Sequence, residues 1–269
     1  MGDSRLAKWF IKAELEALRL MAGLTPTELG RKLDFSAQSI SNWETGVNVP
    51  KRSIVKDICG ITGVDDRRKN FLIHVVDNYK SHDLVSRLDQ RCIAMVEQAE
   101  RTYGDIFKFE PLYIPGPVQL PAYHTEVLPV SERSPGGVKQ KTRRRLMLES
   151  RKDRPRIQIA IGIDAFRYLD SLTHRDRQIE LILEASKRQN WEIRIIDQAH
   201  RAMRGGFDMF LPSGKRAAGP PFVYCETLGH SHHFEGTAEI QLYSEVREEI
   251  WAIGKPVEEV LSENVQLMA

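Results

Sequence analysis

Residues 23–44 read GLTPTELGRKLDFSAQSISNWE, and this stretch constrains the chain more than any other. Leu29 and Leu33 stand four apart, and Ile40 and Trp43 three apart, so each short segment carries one apolar stripe at helical spacing. Leu15, Leu18 and Leu24 lead into that stripe from the preceding segment. Thr25 stands at an N-cap position, Pro26 follows where a missing N–H costs nothing, and Glu28 completes a capping box. A second helix therefore starts at Pro26. Asp34-Phe35 supplies a tight turn, Ser36 caps a third helix, and Gly30 is small enough for the two helices to cross closely. With Ile40 and Trp43 turned inward, Ala37, Gln38, Ser41 and Asn42 face outward.

That outward row is uncharged and small, unlike a solvated helix face rich in Glu and Lys. Gln and Asn side chains bond adenine bidentately, Ser donates or accepts, and an Ala methyl meets a thymine methyl. The pattern is that of a helix-turn-helix with a reading helix at 36–44. Ser36, Ala37, Gln38, Ser41 and Asn42 are the candidate base-reading residues.

The same residues resemble the XRE-type, phage-repressor-like family of helix-turn-helix regulators. The resemblance lies in Arg19, Gly23-Leu24-Thr25, Glu28-Leu29, Ser36, Gln38-Ser39-Ile40-Ser41, Trp43-Glu44, Gly46 and Pro50, over about residues 10–65. It implies a structural ion pair between Arg19 and Glu44, base reading by Gln38 and Asn42, and phosphate contacts at Thr25, Ser39 and Thr45. Thr27, Lys51 and Arg52 complete the expected phosphate-contacting set. Pro26 and Val47 depart from the family's usual glutamine and polar residue, so no operator sequence carries over.

At 269 residues the chain has room for a second, larger domain. The expected organisation is an all-α, five-helix domain over residues 1–80, followed by an α+β domain over 81–269 with a small mixed sheet. Helices are expected at Arg5–Met21, Lys51–Thr62 and Asp66–Lys80, with a longer one from Leu84 to Tyr103. Strands are expected at Ile106–Phe109, Ile157–Ile163, Glu192–Ile196, Phe207–Leu211 and Phe222–Thr227, and helices at 176–189, 239–253 and 257–265. Ser131–Gly137 reads as a mobile loop. Residues 1–80 hold 13 Lys and Arg against 10 Asp and Glu, so nonspecific attraction to DNA is modest and pairing of two subunits must add affinity.

The larger part is similar to the C-terminal domain of actinobacterial antitoxin-like regulators. Phe109-Glu110-Pro111, Ile114-Pro115-Gly116-Pro117-Val118-Gln119, Ala122-Tyr123, an Arg-rich helix, Asp164-Ala165-Phe166 and Val223-Tyr224-Cys225-Glu226-Thr227 carry that likeness. It implies a module that senses, binds a partner or dimerises.

Three other features bear on function. Residues 138–156 carry nine basic and two acidic side chains, and residues 226–269 hold nine Glu against Arg247 and Lys255. The basic run reads as a solvated helix, a contact for the acidic C-terminal region, or a second phosphate surface. Cys225, His230, His232 and His233 fall within nine positions, but their spacing matches no structural zinc pattern, and surface histidines on a loop beside a strand cysteine are expected. Phosphate-loop, G-x-S-x-G and H-E-x-x-H patterns are missing, so no enzyme activity, cofactor or metal is expected. Cys59, Cys92 and Cys225 suit a reducing compartment, and no run approaches the roughly 18 apolar residues that span a bilayer.

The resulting expectation is a cytoplasmic, nucleoid-associated dimeric repressor whose partner is double-stranded DNA. Left open are an antitoxin-like protein that binds a small partner protein and autoregulates its operon, and a sensor with a small-molecule ligand at its C-terminal domain.

Overall fold

The computed structural model describes residues 2–87, 90, 92–127, 135–170, 172–213 and 218–263. Five helices come first: α1 Arg5–Met21, α2 Pro26–Leu33, α3 Ala37–Thr45, α4 Arg52–Thr62 and α5 Asp66–Asn78. Then follow β1 Asp83–Arg87, α6 Ala94–Thr102, β2 Asp105–Glu110, α7 Pro121–Val127, α8 Pro135–Glu149, β3 Arg156–Gly162, α9 Ile163–Leu169 and α10 Arg175–Ser186. The chain continues through β4 Trp191–Ile196, β5 Phe207–Leu211, β6 Phe222–Glu226, β7 His230–Phe234, α11 Thr237–Ile253, β8 Lys255–Pro256 and α12 Val257–Glu263. An all-α helix-turn-helix region thus precedes an α+β region with mixed strand pairing.

Two compact units form, and their limits are not a single cut in the sequence. The first takes residues 1–102 together with 215–240, and the second takes 103–214 with 241–269. In the first unit, α1 is buried along Leu6, Phe10, Leu15 and Leu18, with Phe10 edge-on to Phe71 of α5 at 5.3 Å between centroids. Beside the helices lies a three-stranded antiparallel sheet in which β7 pairs with both β1 and β6.

The expected long helix from Leu84 is replaced by β1 and the shorter α6. Leu84 and Ser86 are buried while Val85 and Arg87 are exposed, a period of two that pairing with His230–Phe234 enforces. The histidine segment is likewise a strand rather than a loop. His233 on β7 is 1% exposed, enclosed by Phe71, Phe222 and Tyr224, and only His230 of the three is exposed. Cys225 faces His232 across β6 and β7, and among the described residues no three His, Cys, Asp or Glu side chains gather into a metal site.

In the second unit β2, β3 and β4 run parallel, with β5 antiparallel to β2 and β8 antiparallel to β4. Strand β3 is buried from Ile157 to Gly162, which is why its sequence is nearly continuous in isoleucine. Arg247 of α11 reaches Asp105 at 2.8 Å and Gln158 at 2.6 Å, and Lys108 pairs with Asp208 at 2.5 Å. These buried cations are paired, as low polarity demands.

Three arginines of the basic run have carboxylates close by. Arg145 lies 3.6 Å from Glu149, Arg151 binds Asp153 at 2.6 Å, and Arg156 is 3.6 Å from Glu192. Helix α8 begins at Pro135, so Pro135–Gly137 belongs to a helix and not to the expected loop, with proline suited to a first helical turn. The remainder of that expected loop, positions 131–134, lies outside the described residues.

Candidate nucleic-acid interface

The helix-turn-helix is built from local rules. Thr25 Oγ1 accepts from the Glu28 N–H at 3.2 Å, and Glu28 Oε2 accepts from the Thr25 N–H at 2.7 Å, closing the capping box at the start of α2. The Thr25 backbone bond, with the Thr25 hydroxyl second, holds the Glu28 carboxyl below its ordinary range. At the other end Asp34 adopts φ 60°, a left-handed turn that reverses the chain. Ser36 then caps α3, its Oγ accepting from Ser39 N at 3.1 Å. A Cβ on Gly30 would sit 2.6 Å from the Phe35 carbonyl oxygen, so the turn closes this tightly only over glycine.

The inner face of α3 is fixed by packing. Ile40 and Trp43 are 1% and 7% exposed, and Phe35 meets the Trp43 ring edge-on at 5.2 Å. Arg19 of α1 clamps the far end. Its Nε and Nη2 donate to the two oxygens of Glu44 at 2.6 and 2.8 Å, and Nη1 donates to the Leu24 carbonyl at 2.8 Å. That bidentate bond raises the Arg19 pKa, so the guanidinium stays charged. One side chain thus ties the end of α1, the approach to α2 and the end of α3.

On the outer face, Ser36 and Gln38 are exposed and Ala37, Ser41 and Asn42 are half-exposed. Gln38 Nε2 donates to Asn42 Oδ1 at 2.9 Å. The expected phosphate-contacting residues divide among three helix starts and one helix end. Thr25 and Thr27 lie at the start of α2, and Ser39 is in the first turn of α3 with its hydroxyl 3.0 Å from that of Ser36. Thr45 ends α3, where its hydroxyl donates to the Ser41 carbonyl at 2.8 Å. Lys51 caps α4 with no side-chain bond to the helix and is exposed, whereas Arg52 pairs with Asp77 at 2.5 Å. Helix starts present N–H groups and partial positive charge to anions, the chemistry a phosphate backbone requires.

One polar group inside the same unit escaped sequence reasoning. Glu14, Arg68, Glu97 and Gln98 are all at most 5% exposed. The signal was present in α1, where Glu14 falls within the apolar stripe of Phe10, Ile11 and Leu18 and so requires a buried partner.

These features define a helix-turn-helix module of the DNA-binding kind, and the chain is a helix-turn-helix regulator. Residues 13–71 match a helix-turn-helix domain family, and residues 93–262 match the family described as a domain of unknown function (DUF5753). The chain belongs to the DUF5753 family. No curated protein matches it. Among solved structures it is similar to TrmBL2, an archaeal chromatin protein whose structure is described as showing a novel mode of DNA binding. The two share 12% identity over 65% of this chain and 54% of that one, with a TM-score of 0.33, so this chain spans about half the length of that protein. Among the described residues no helix is long and apolar enough to cross a membrane.

Proposed function

We propose that this protein is a sequence-specific transcriptional repressor of the XRE type that binds operator DNA as a homodimer, with α3 of each subunit in a major groove. One observation carries the reading: the uncharged row Ala37, Gln38, Ser41 and Asn42 stands outward on a helix whose opposite face is buried and whose end is clamped by Arg19 and Glu44. A rigid helix with small, polar, uncharged side chains suits base edges in the major groove. Ser36, Ala37, Gln38, Ser41 and Asn42 read bases, and Thr25, Thr27, Ser39, Thr45, Lys51 and Arg52 lie along the flanking phosphates. Two subunits reading half-sites about 34 Å apart supply the affinity that one weakly charged module lacks. The protein acts in the cytoplasm on nucleoid DNA and performs no catalysis.

Binding-site selection from a random duplex library tests the reading. The full chain should enrich a two-fold symmetric sequence, and Gln38→Ala should relax preference at one position of each half-site. Enrichment of no sequence, or an unchanged consensus from the variant, would overturn it.

A further inference from the structure

Helix α6 belongs to the segment that matches the DUF5753 family, yet its side chains complete the interior of the unit that holds the helix-turn-helix. The guanidinium of Arg68 on α5 is the hub. It grips both carboxylate oxygens of Glu14 on α1, through Nε to Oε1 and through Nη2 to Oε2 at 2.8 Å, while Nη1 donates to Glu97 Oε2 on α6 at 2.8 Å. Gln98, the next residue of α6, donates from Nε2 to Glu14 Oε2 at 2.7 Å. Burial by itself would lower the pKa of Arg68, but the hydrogen bonds of Glu14 and the charges of Glu14 and Glu97 outweigh it and raise the pKa. Two carboxylates thus contact one guanidinium, and the amide of Gln98 adds a donor to Glu14.

Such a network ties α6 to α1 and α5, because a shift of α6 takes the Gln98 donor from the buried Glu14 and the Glu97 carboxylate from Arg68. The shift must then be met by α1. Glu14 and Arg19 are five residues apart on that helix, about 7.5 Å along its axis, and Arg19 is the residue that clamps Glu44 at the end of α3. Beyond α6 the chain enters β2 within a few residues, since α6 ends at Thr102 and β2 begins at Asp105.

We propose that Glu97 and Gln98 are positioning residues for the reading helix: by completing the Glu14 and Arg68 cluster they set α1, and through Arg19 they set α3. The inference rests on the reading of α3 as the DNA-reading helix and gives the DUF5753 segment a hold on it by way of α1.

The test uses the full-length Gln98→Met and Glu97→Gln variants, at a temperature where circular dichroism shows each fully folded. Amide hydrogen exchange over residues 37–45 should quicken about three- to tenfold in Gln98→Met, with exchange over α4 and α10 unchanged. Affinity for the duplex selected by the wild-type chain should fall by a similar factor, while affinity for random duplex holds. Unchanged exchange over residues 37–45 overturns the proposal. So does a rise spread equally over α3, α4 and α5, which is general loosening. If Glu97→Gln does not fold, Gln98→Met decides alone, because it removes one hydrogen bond and no charge. If the wild-type chain selects no duplex but exchange over residues 37–45 still quickens alone, the coupling stands and the DNA reading fails.

Discussion

Gln38 and Asn42, one turn apart on α3, are hydrogen-bonded to each other, with the Gln38 side-chain amide Nε2 donating to the Asn42 side-chain oxygen Oδ1 at 2.9 Å. Each therefore holds the other's rotamer, and on the proposed reading of α3 the pair is one preorganised surface for DNA. Changing either to Ala should cost about 1–3 kcal/mol of specific binding and relax one base position. The double variant should cost clearly less than the sum, since residues in one network are not independent. Fluorescence anisotropy on the selected duplex, with single-base changes, measures both.

The Arg19 and Glu44 side chains are 9% and 10% exposed, so removing one leaves the other charged in a poor solvent. Arg19→Met or Glu44→Leu alone should lose about 3 kcal/mol of stability, whereas the double change should recover most of it, as apolar replacement of a buried pair commonly does. Urea unfolding reads the stability. Strong DNA binding by the stable double variant would show that the pair is not needed to aim α3.

Two helical glycines should respond with opposite sign. Gly30→Ala drives a Cβ into the Phe35 carbonyl and should cost about 1–3 kcal/mol. Gly60 lies within α4, where an added methyl would meet nothing within 4 Å, so Gly60→Ala should gain up to about 1 kcal/mol through helix propensity. Thermal melts of the two variants against wild type settle the signs.

Burial pushes the His233 imidazole down to about 3; nearby His74 and His232 act in the same direction and the Leu84 backbone opposes them. Its folded pKa lies below the unfolded value, so the unfolded chain takes up a proton that the folded chain refuses. Stability should be intact above about pH 6.5 and fall as pH drops toward 3, by about 1.4 kcal/mol per pH unit from this residue. Denaturant midpoints taken across that range should be flatter in His233→Leu.

Lys51 and Arg52 begin α4 side by side but differ in their partners. Lys51→Gln should weaken binding to all duplexes and reduce the salt slope by about one. Arg52→Gln should reduce it less, because Asp77 already holds one arm of that guanidinium at 2.5 Å. Equal slopes for the two variants would refute the distinction.

How far the sequence reveals this architecture depends on how local the cause is. The limits of α1, the capping box at Thr25 and the strand at Ile157–Gly162 follow from neighbours within a few positions, and all are visible in the pattern. Strand β1 is not. Its five residues become a strand because His230–Phe234 pairs with them, and the spacing around Leu84 is equally compatible with a helix. The histidines of β7 look solvent-facing for the same reason, since only the packed structure places Phe71, Phe222 and Tyr224 around His233. At the site, the outward row of α3 and the Arg19 to Glu44 pair are legible from motif and spacing. The cluster around Arg68 is only half legible, because Glu14 announces a need that residues on two other helices fill.

The pairing of Leu84 with His233 also sets a clock. The residues of α1 to α5 leave the ribosome early, but the sheet beside them waits for β6 and β7. The unit carrying α3 is therefore finished only when most of the polypeptide has been synthesised, and a message truncated before residue 222 yields the helix-turn-helix without its complete support.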